Sequence, residues 1–318
     1  MNFQNLEYFV AVARERNITR AAEDLNITQQ ALSNQISRLE QELGCALFDR
    51  KHGLELTYSG KCFFDSALKI IDINNETEKV IHDIAGNRRG ELRVGMAFTR
   101  GLAILPLVFP EYRKRHPEVS LKIVEDISID LEEVLDNGDL DLIIGYTPFR
   151  FDSIASVNLL KEHLYLVVPK SILQKLWSDD YDLKLREFNS KPDITLFKDF
   201  PFILLKHGEK MRDLVDREFR FHGISPEILA ETENIQTCFA LCAEGMGITV
   251  VPELYVKSPY VISGNTETSL RKNVELLRFS DNDIRNTINM AIGYNEERYL
   301  SHNAKEFISM CTRKFSEL

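Results

Sequence analysis

The chain has 318 residues, of which 44% are hydrophobic and 28% charged, with a formal net charge of −10 at pH 7. These fractions are typical of a soluble globular protein, and the length provides for two or three domains. The acidic net charge excludes strong electrostatic binding to nucleic acid, because such binding comes from Lys and Arg side chains that neutralise phosphates. No export signal or apolar run of membrane-spanning length is present, so we expect a cytoplasmic protein without a membrane partner.

Residues 18–44 predict two helices joined by a tight turn at Asn26. Thr19 is placed to cap the first helix and Thr28 to cap the second. Gly44 is typical of the left-handed residue that ends a helix. The second helix carries an apolar stripe with the spacing of an amphipathic helix that packs on a core, at Leu32, Ile36, Leu39 and Leu43.

The opposite face of this second helix carries amides and hydroxyls instead of the Lys and Glu of an ordinary solvated face. Gln and Asn pair with adenine, and Arg pairs with guanine, in the major groove of DNA. The pattern therefore predicts a helix-turn-helix whose second helix reads base edges. The alternative is an ordinary helical hairpin with a polar outer face. The expected DNA contacts on this helix are Thr28, Gln29, Gln30, Ser33, Asn34, Ser37 and Arg38.

Two short alternating segments follow around Gly53 and predict a hairpin, or wing. Arg50, Lys51 and His52 lie at the tip of this hairpin. Basic side chains beside a reading helix are placed to contact phosphates or the minor groove. The alternative is an exposed turn with incidental charge.

Residues 58–85 contain no proline and, apart from Gly60, no glycine, which predicts one long helix. Seven positions on it recur at alternating spacings of four and three residues, which is the pattern of a coiled-coil seam. This spacing favours dimerisation through a second chain, although the stripe could instead pack on its own domain. The seam positions are Phe63, Ala67, Ile70, Asn74, Thr77, Ile81 and Ile84.

Residues 6–60 carry a set of motifs at fixed spacing: Ala21-Ala22, Thr28-Gln29, Ala31-Leu32-Ser33, Ile36, Leu39-Glu40, Leu43-Gly44, Leu47-Phe48, Arg50, Leu56-Thr57 and Gly60. With these motifs the segment resembles, without a gap, the amino-terminal domain of the LysR-type transcriptional regulators. The resemblance implies that the reading helix faces the major groove while Arg50 meets the DNA backbone. It also implies a homo-oligomer, a dimer or a dimer of dimers. One departure is Gln30, where members of the family often carry proline.

Beyond a polar hinge at residues 87–90, strands and helices alternate. The chain is expected to form a first α/β unit, to continue into a second one and to return to the first near its end. Such a path makes two lobes, and it resembles the type 2 periplasmic-binding fold of the LysR effector domain. The predicted fold class is α/β, with an all-α winged helix-turn-helix amino-terminal domain and a two-lobed type 2 periplasmic-binding-like effector domain. The expected domains are a DNA-binding domain at 1–57, a linker (dimerisation) helix at 58–87 and an effector-binding domain at 88–318, with lobe I at about 91–161 and 270–318 and lobe II at about 162–269.

We expect a small-molecule pocket between the lobes, because ligands of open parallel sheets bind beyond the carboxyl ends of the strands. Thr99 is the leading candidate, since a hydroxyl beside a helix amino terminus suits a carboxylate, and Arg100 and Lys206 can neutralise one. The expected effector is therefore anionic. Each residue alone could instead be a cap or a solvated charge, Ser128 in particular. The candidate effector contacts are Thr99, Arg100, Ser128, Tyr146, Lys206 and His207.

No catalytic, metal or cofactor site is predicted. Gly245-Met246-Gly247 follows a helix and precedes a strand, the reverse of the dinucleotide-binding order. The seven histidines lack metal-ligand spacing, and no nucleophile and base can be assembled by motif.

The leading interpretation is a DNA-binding transcriptional regulator that responds to a small molecule. One alternative is a thiol-based redox regulator that uses one of the five cysteines, of which Cys238 and Cys242 stand one helical turn apart. Another is a cytoplasmic solute-binding protein or enzyme that uses the two-lobed cleft.

Overall fold

The computed structural model describes residues 2–49, 53–86, 89–126, 128–178, 180–258, 271–280 and 286–316, and the chain forms two compact units, 1–86 and 87–318. The winged domain and the long helix, expected as separate segments, belong to the same unit. None of the described helices has the length and apolar character needed to cross a membrane.

The first unit consists of helices and a two-stranded wing. Its elements are α1 (Phe3–Glu15), α2 (Ile18–Asp24), α3 (Gln29–Leu43), β1 (Phe48–Asp49), β2 (Glu55–Leu56) and α4 (Tyr58–Ile84). Leu32, Ile36 and Leu39 of α3 are buried as predicted, whereas Leu43 is 40% exposed. Leu43 is the last residue of α3, one turn beyond the part of the helix that packs on the core.

Side-chain oxygens cap the two helices of the helix-turn-helix. Thr28 caps α3 as predicted and accepts a hydrogen bond from the Ala31 N–H at 3.2 Å. The predicted cap of α2 was wrong, because Asn17 and not Thr19 precedes the helix, and the Asn17 carboxamide accepts from the Thr19 N–H at 2.9 Å. Asn is as effective a cap as Thr, so both residues were compatible with the sequence pattern. Asn26 turns the chain with a φ of 53°.

The wing is fixed to α3 and α4 by polar contacts. Glu40 on α3 accepts hydrogen bonds from the backbone N–H groups of Leu47 at 2.8 Å and Phe48 at 3.1 Å. Thr57 caps α4 by accepting from the Gly60 N–H at 2.9 Å. A side chain at position 60 would overlap the Leu47 carbonyl oxygen, so glycine is required where the wing meets α4.

Lobe I of the second unit is a mixed sheet. Its strands are β3 (Gly90–Met96), β4 (Val119–Glu125), β5 (Leu142–Tyr146), β6 (Ile154–Pro169) and β11 (Thr287–Asn295). They lie in the order β4-β3-β5-β11-β6, in which β3 is parallel to β4 and β5, and β11 is antiparallel to β5 and β6. The helices are α5 (Phe98–Arg115), α6 (Ser128–Asp136) and α12 (His302–Ser316).

Lobe II is built on the second half of β6. Its remaining strands are β7 (Phe202–Leu205), β8 (Ile228–Thr232), β9 (Thr249–Pro252) and β10 (Val274–Arg278). β6 pairs antiparallel with β9 and β10, β7 pairs parallel with β8, and a parallel bridge from Phe202 to Ile248 joins β7 to the segment before β9. Its helices are α7 (Lys170–Trp177), α8 (Tyr181–Ser190), α9 (Lys210–Phe221), α10 (Ile235–Ala243) and α11 (Glu253–Lys257), with short 3-10 turns at Ile194–Phe197 and Arg271–Asn273.

Two boundaries differ from the sequence-based expectation. The return to lobe I was placed at about residue 270, but β10 pairs with residues 165–169 of β6, so the chain still belongs to lobe II as far as Arg278. Helix α5 begins at Phe98 instead of Ile104, and Pro106, expected in the first turn, lies inside the helix together with Pro110. The earlier start places the candidate residues after β3 within the first turn of α5.

Candidate functional site

The predicted DNA-reading side chains share one face of α3. Gln29, Gln30, Asn34 and Arg38 are exposed, while Ser33 and Ser37 are half-buried. Positions 30, 33, 34, 37 and 38 are separated by the three- and four-residue steps that bring side chains together on a helix. Beside them, β1 and β2 pair antiparallel, as a wing requires. The tip residues Arg50, Lys51 and His52 lie outside the described residues.

The first turns of α4 pack on their own domain. Ala67 is 1% exposed, and the Phe63 ring lies 4.9 Å from that of Phe9 in the core. These two positions of the predicted seam are therefore corrected to core positions. The heptad spacing could not separate the two roles, because a stripe that packs on α1 has the same period as one that packs on a second chain.

The remaining positions of the predicted seam are exposed to solvent or bond within α4 itself. Asn74 donates to Glu78 at 3.1 Å, and the Thr77 hydroxyl donates to the Ile73 carbonyl at 2.7 Å, so both polar seam residues bond within α4. The apolar side chains along this face are large and exposed. They are Ile70 at 43%, Ile73 at 64%, Ile81 at 59% and Ile84 at 78%.

In the second unit, a cleft between the lobes brings together three of the six candidate effector residues: Thr99 and Arg100 on α5 and Tyr146 at the end of β5. The cleft contains about 520 Å³ of space outside the protein atoms, part of it open to solvent. Lobe II supplies mostly apolar side chains that sequence reasoning did not find. They include Leu205, Met211, Ile235, Leu254 and Tyr255.

Arg100 is the most unusual residue of the cleft. It is 7% exposed, and its Nη1 donates to the Ile144 carbonyl at a long 3.3 Å. Its guanidinium carbon lies 4.3 Å from the centre of the Tyr146 ring. Its Nε has no hydrogen-bond partner among the residues that the structure describes, and no carboxylate there lies within salt-bridge distance, although the charge of Arg100 opposes the rise in the pKa of the buried Glu162 that burial causes. Burying a cation is costly, and an anion bound in direct contact would offset that cost.

Tyr146 contributes its ring to the cleft, while its hydroxyl is already engaged. The hydroxyl donates to Glu162 at 3.0 Å, and the other oxygen of Glu162 accepts from the Leu254 N–H at 2.7 Å. Burial raises the pKa of Glu162 above its usual range. Tyr146 therefore supports Arg100 and lines the cleft, while its hydroxyl is engaged by Glu162.

Lys206 and His207 are not among the described residues that line this cleft. Lys206 lies 2.8 Å from Glu233, and this hydrogen-bonded pair raises the pKa of the lysine and lowers that of the glutamate. His207 is 70% exposed and lies 3.6 Å from Asp216. A position directly after the carboxyl end of β7 was therefore not enough to predict that a side chain points into the cleft. Ser128 begins α6, but its side chain lies outside the described residues.

A buried ion pair joins the two lobes beside the cleft, and no sequence motif indicated it. Lys210, at the start of α9 in lobe II, places its Nζ 2.6 Å from Glu132 on α6 of lobe I. The two side chains are 18% and 2% exposed. The same Nζ donates to the carbonyls of Tyr146 at 2.7 Å and Pro148 at 2.5 Å. Burial lowers the pKa of Lys210 in spite of the pairing.

Comparison with known families identifies the two units. A family model described as "Bacterial regulatory helix-turn-helix protein, lysR family" matches residues 3–61, and one described as "LysR substrate binding domain" matches residues 85–316. The chain belongs to the LysR family of transcriptional regulators. Its amino-terminal unit is the helix-turn-helix domain of this family, and its two-lobed α/β unit is the family's substrate-binding domain. The family consists of transcriptional regulators and not of enzymes.

Similar transcriptional regulators cover most or all of the chain. The "Uncharacterized HTH-type transcriptional regulator YybE" of Bacillus subtilis (strain 168) is 30% identical over 318 residues, 100% of both chains. The "HTH-type transcriptional regulator ClcR" of Pseudomonas putida is 30% identical over 271 residues, 84% of this chain and 88% of that one. The crystal structure of full-length CbnR complexed with its target DNA has a TM-score of 0.63 at 22% identity, covering 99% of this chain and 100% of that chain, and so shares the fold.

Proposed function

We propose that this regulator binds operator DNA through α3 and the wing, and that an anionic small molecule in the cleft between its lobes controls it. The single observation that carries the effector assignment is Arg100, a buried cation that lines the cleft without a salt-bridge partner among the described residues. We assign residues 1–86 to DNA binding and dimerisation and residues 87–318 to effector binding. Because the proposed function requires contact with DNA, we place the protein in the cytoplasm.

Control through the cleft requires a differential affinity. A ligand shifts a conformational equilibrium only if it binds one arrangement of the lobes more tightly than the other. The cleft meets this condition because its lining comes from both lobes, with Arg100 and Thr99 on one side and Met211 and Ile235 on the other. An anion held by Arg100 therefore contacts lobe II fully only in a closed arrangement.

The DNA-binding unit lacks the net positive charge that would bind DNA phosphates. Its first 64 residues contain seven Lys and Arg and eight Asp and Glu. Affinity must therefore depend on direct contacts from α3 and on the linkage of two or more reading heads in an oligomer.

Gln30→Ala and Ser33→Ala are expected to relax base preference at the operator. A good bidentate side-chain contact discriminates between bases by about 1–3 kcal/mol, so we expect a loss of about 5- to 150-fold at the base that Gln30 contacts. Competition gel shifts with base-substituted operator fragments measure this loss. Gln4→Ala, an exposed glutamine on α1, is the matched control. An unchanged site preference in both α3 variants would show that another face reads the DNA.

The exposed isoleucine stripe of α4 supports a homodimer. Four large apolar side chains on one helix face are an unusual exposure for a monomer. We therefore propose that this face pairs with a second copy of the chain, and that dimers can pair further into a dimer of dimers.

The double substitution Ile70→Asp and Ile81→Asp is expected to give monomers in analytical ultracentrifugation, because it buries charge in the proposed interface. Lys69→Asp, an exposed position on the same helix, should leave the dimer intact. Intact dimers in the double variant would contradict a dimer interface on α4.

The thiol-sensor alternative has little support from the described cysteines. Cys238 and Cys242 are fully buried, and burial raises the pKa of Cys238 to about 11 and that of Cys242 further. The thiolate is the reactive form, so these thiols are poorly suited to oxidant sensing. The exposed cysteines, Cys45 and Cys62, lie in the DNA-binding unit, outside the cleft.

A further inference from the structure

The effector cleft offers a ligand one buried cation and an apolar surface. Arg100 lines the cleft from lobe I and is 7% exposed. Lobe II contributes four apolar side chains, which we name the apolar wall: Leu205, Met211, Ile235 and Leu254. A ligand that fills the cleft therefore places its charge on lobe I and its body against the hydrocarbon side chains of lobe II.

The cleft has no second cation for a further negative charge. Arg100 is the sole lysine or arginine among the lining residues that the structure describes. Lys206 is hydrogen-bonded to Glu233. Lys210 is held by the buried Glu132 in the ion pair between the lobes. A second charge on the ligand would therefore be buried without a counter-ion, which is strongly unfavourable.

Arg100 itself has capacity for a single anion. Its Nη1 donates to the Ile144 carbonyl at 3.3 Å, while its Nε lacks a partner within the described part of the chain. Its charge also acts on the buried Glu162, so the two residues together carry no net charge when Glu162 is ionised. Burial raises the pKa of Glu162, so this carboxyl can take up one proton when an anion binds. That proton compensates for one ligand charge and not for two.

The lining also distinguishes between kinds of anion. One edge of a guanidinium matches the two oxygens of a carboxylate. A phosphate ester carries about −1.5 to −2 charge near neutral pH and presents three acceptor oxygens. The oxygens that Arg100 does not reach need further donors, and the side chains of the apolar wall have none. A carboxylate is therefore the anion that suits this cleft.

We propose that the effector is a monocarboxylate with a compact apolar body, and this rests on the effector cleft of the proposed function. Its carboxylate binds Arg100, and its apolar body contacts the apolar wall. The cleft discriminates against dicarboxylates and phosphate esters, because it provides one cation for them. The apolar body links binding to lobe closure, since its surface is fully removed from water only when lobe II lies against it.

Isothermal titration of the full-length protein tests this with matched probes. Each monocarboxylate is compared with the diacid in which its terminal methyl group is a carboxylate, and with its own neutral amide. The sets are hexanoate, adipate and hexanamide; octanoate, suberate and octanamide; and p-toluate, terephthalate and p-toluamide. Hexyl phosphate is the phosphate ester. We expect at least one monocarboxylate to bind about tenfold or more tightly than its diacid, its amide and hexyl phosphate.

The outcomes separate this proposal from the anionic effector on which it rests. A diacid or hexyl phosphate that binds as tightly as the best monocarboxylate would overturn the monocarboxylate and leave an anionic effector in place. An amide that binds as tightly as its carboxylate would overturn both, because the charge then contributes nothing. Binding of none of the anionic probes would also overturn both.

Met211→Gln and Leu254→Gln each place an amide on the apolar wall without adding charge. We expect each to weaken the best monocarboxylate by about tenfold and its diacid less, so that the preference between the two narrows. Leu254 is half-buried, so its variant keeps the test open if the buried Met211 does not tolerate glutamine. Leu229→Gln, 43% exposed on β8 and not among the lining residues, is the control and should change neither affinity. An unchanged preference in both cleft variants would contradict the contact with the apolar wall.

Discussion

Arg100→Met is expected to abolish binding of carboxylate-bearing ligands in the cleft and to leave operator binding unchanged. Removing one partner of a buried, hydrogen-bonded charge pair costs about 2–5 kcal/mol, which is a loss of roughly 30-fold or more in affinity. Isothermal titration with any carboxylate that binds the wild type measures the loss, and gel shifts on the operator check that DNA binding persists.

The stability of this variant separates a ligand anchor from a structural arginine. Arg100 makes one long hydrogen bond to a carbonyl and one ring contact, and it has no salt bridge among the described residues, although its charge acts on the buried Glu162. Replacing Arg100 by an apolar side chain of similar length should therefore lower the Tm of the ligand-free protein only slightly, because the desolvation cost of the guanidinium is removed together with its interaction with Glu162. Arg115→Met removes an exposed pair with Glu111 on the same helix and should change neither affinity nor Tm appreciably. A large fall in Tm for Arg100→Met would show a structural role instead.

Lys210→Met is expected to lower the free energy of unfolding by about 3–5 kcal/mol, because it leaves Glu132 buried without its cation. Urea denaturation of the full-length protein, followed by near-ultraviolet circular dichroism, measures the change. Lys206→Met breaks a Lys–Glu pair of similar length whose side chains are 53% and 65% exposed, so its expected cost is at most about 1 kcal/mol.

A double-mutant cycle assigns the loss to the pair between the lobes. Glu132→Gln alone should also destabilise, and combining it with Lys210→Met should cost less than the sum of the single changes, since the unpaired charge is then absent. Additive effects would show that Lys210 and Glu132 stabilise their own lobes independently. The same variants should bind effector with altered affinity, because the pair holds one arrangement of the lobes beside the cleft.

The amino-terminal unit was largely predictable because its signals are local. The burial of Leu32, Ile36 and Leu39 and the cap at Thr28 follow from spacing within a single helix. The roles of Phe63 and Ala67 did not follow, because the helical period indicates that a stripe is buried without indicating which surface covers it.

The cleft was predictable on one lobe only. Thr99, Arg100 and Tyr146 were found because they stand next to the carboxyl ends of lobe I strands. The lobe II residue Lys210 was not found, since it reaches Glu132 of lobe I only through the tertiary arrangement of a second sheet. Strand order and the arrangement of the lobes depend on contacts distant in sequence, and the local pattern around Lys210 does not indicate them.

The strand β6 limits how the two lobes can move. Its first half is paired with β11 in lobe I and its second half with β9 and β10 in lobe II, so one unbroken strand of 16 residues is fixed in register at both ends. Stretching or sliding along it would break hydrogen bonds in either sheet, whereas strands twist readily. A change in the arrangement of the lobes that keeps both sets of strand pairs is therefore a twist about the axis of β6 and not a translation along it.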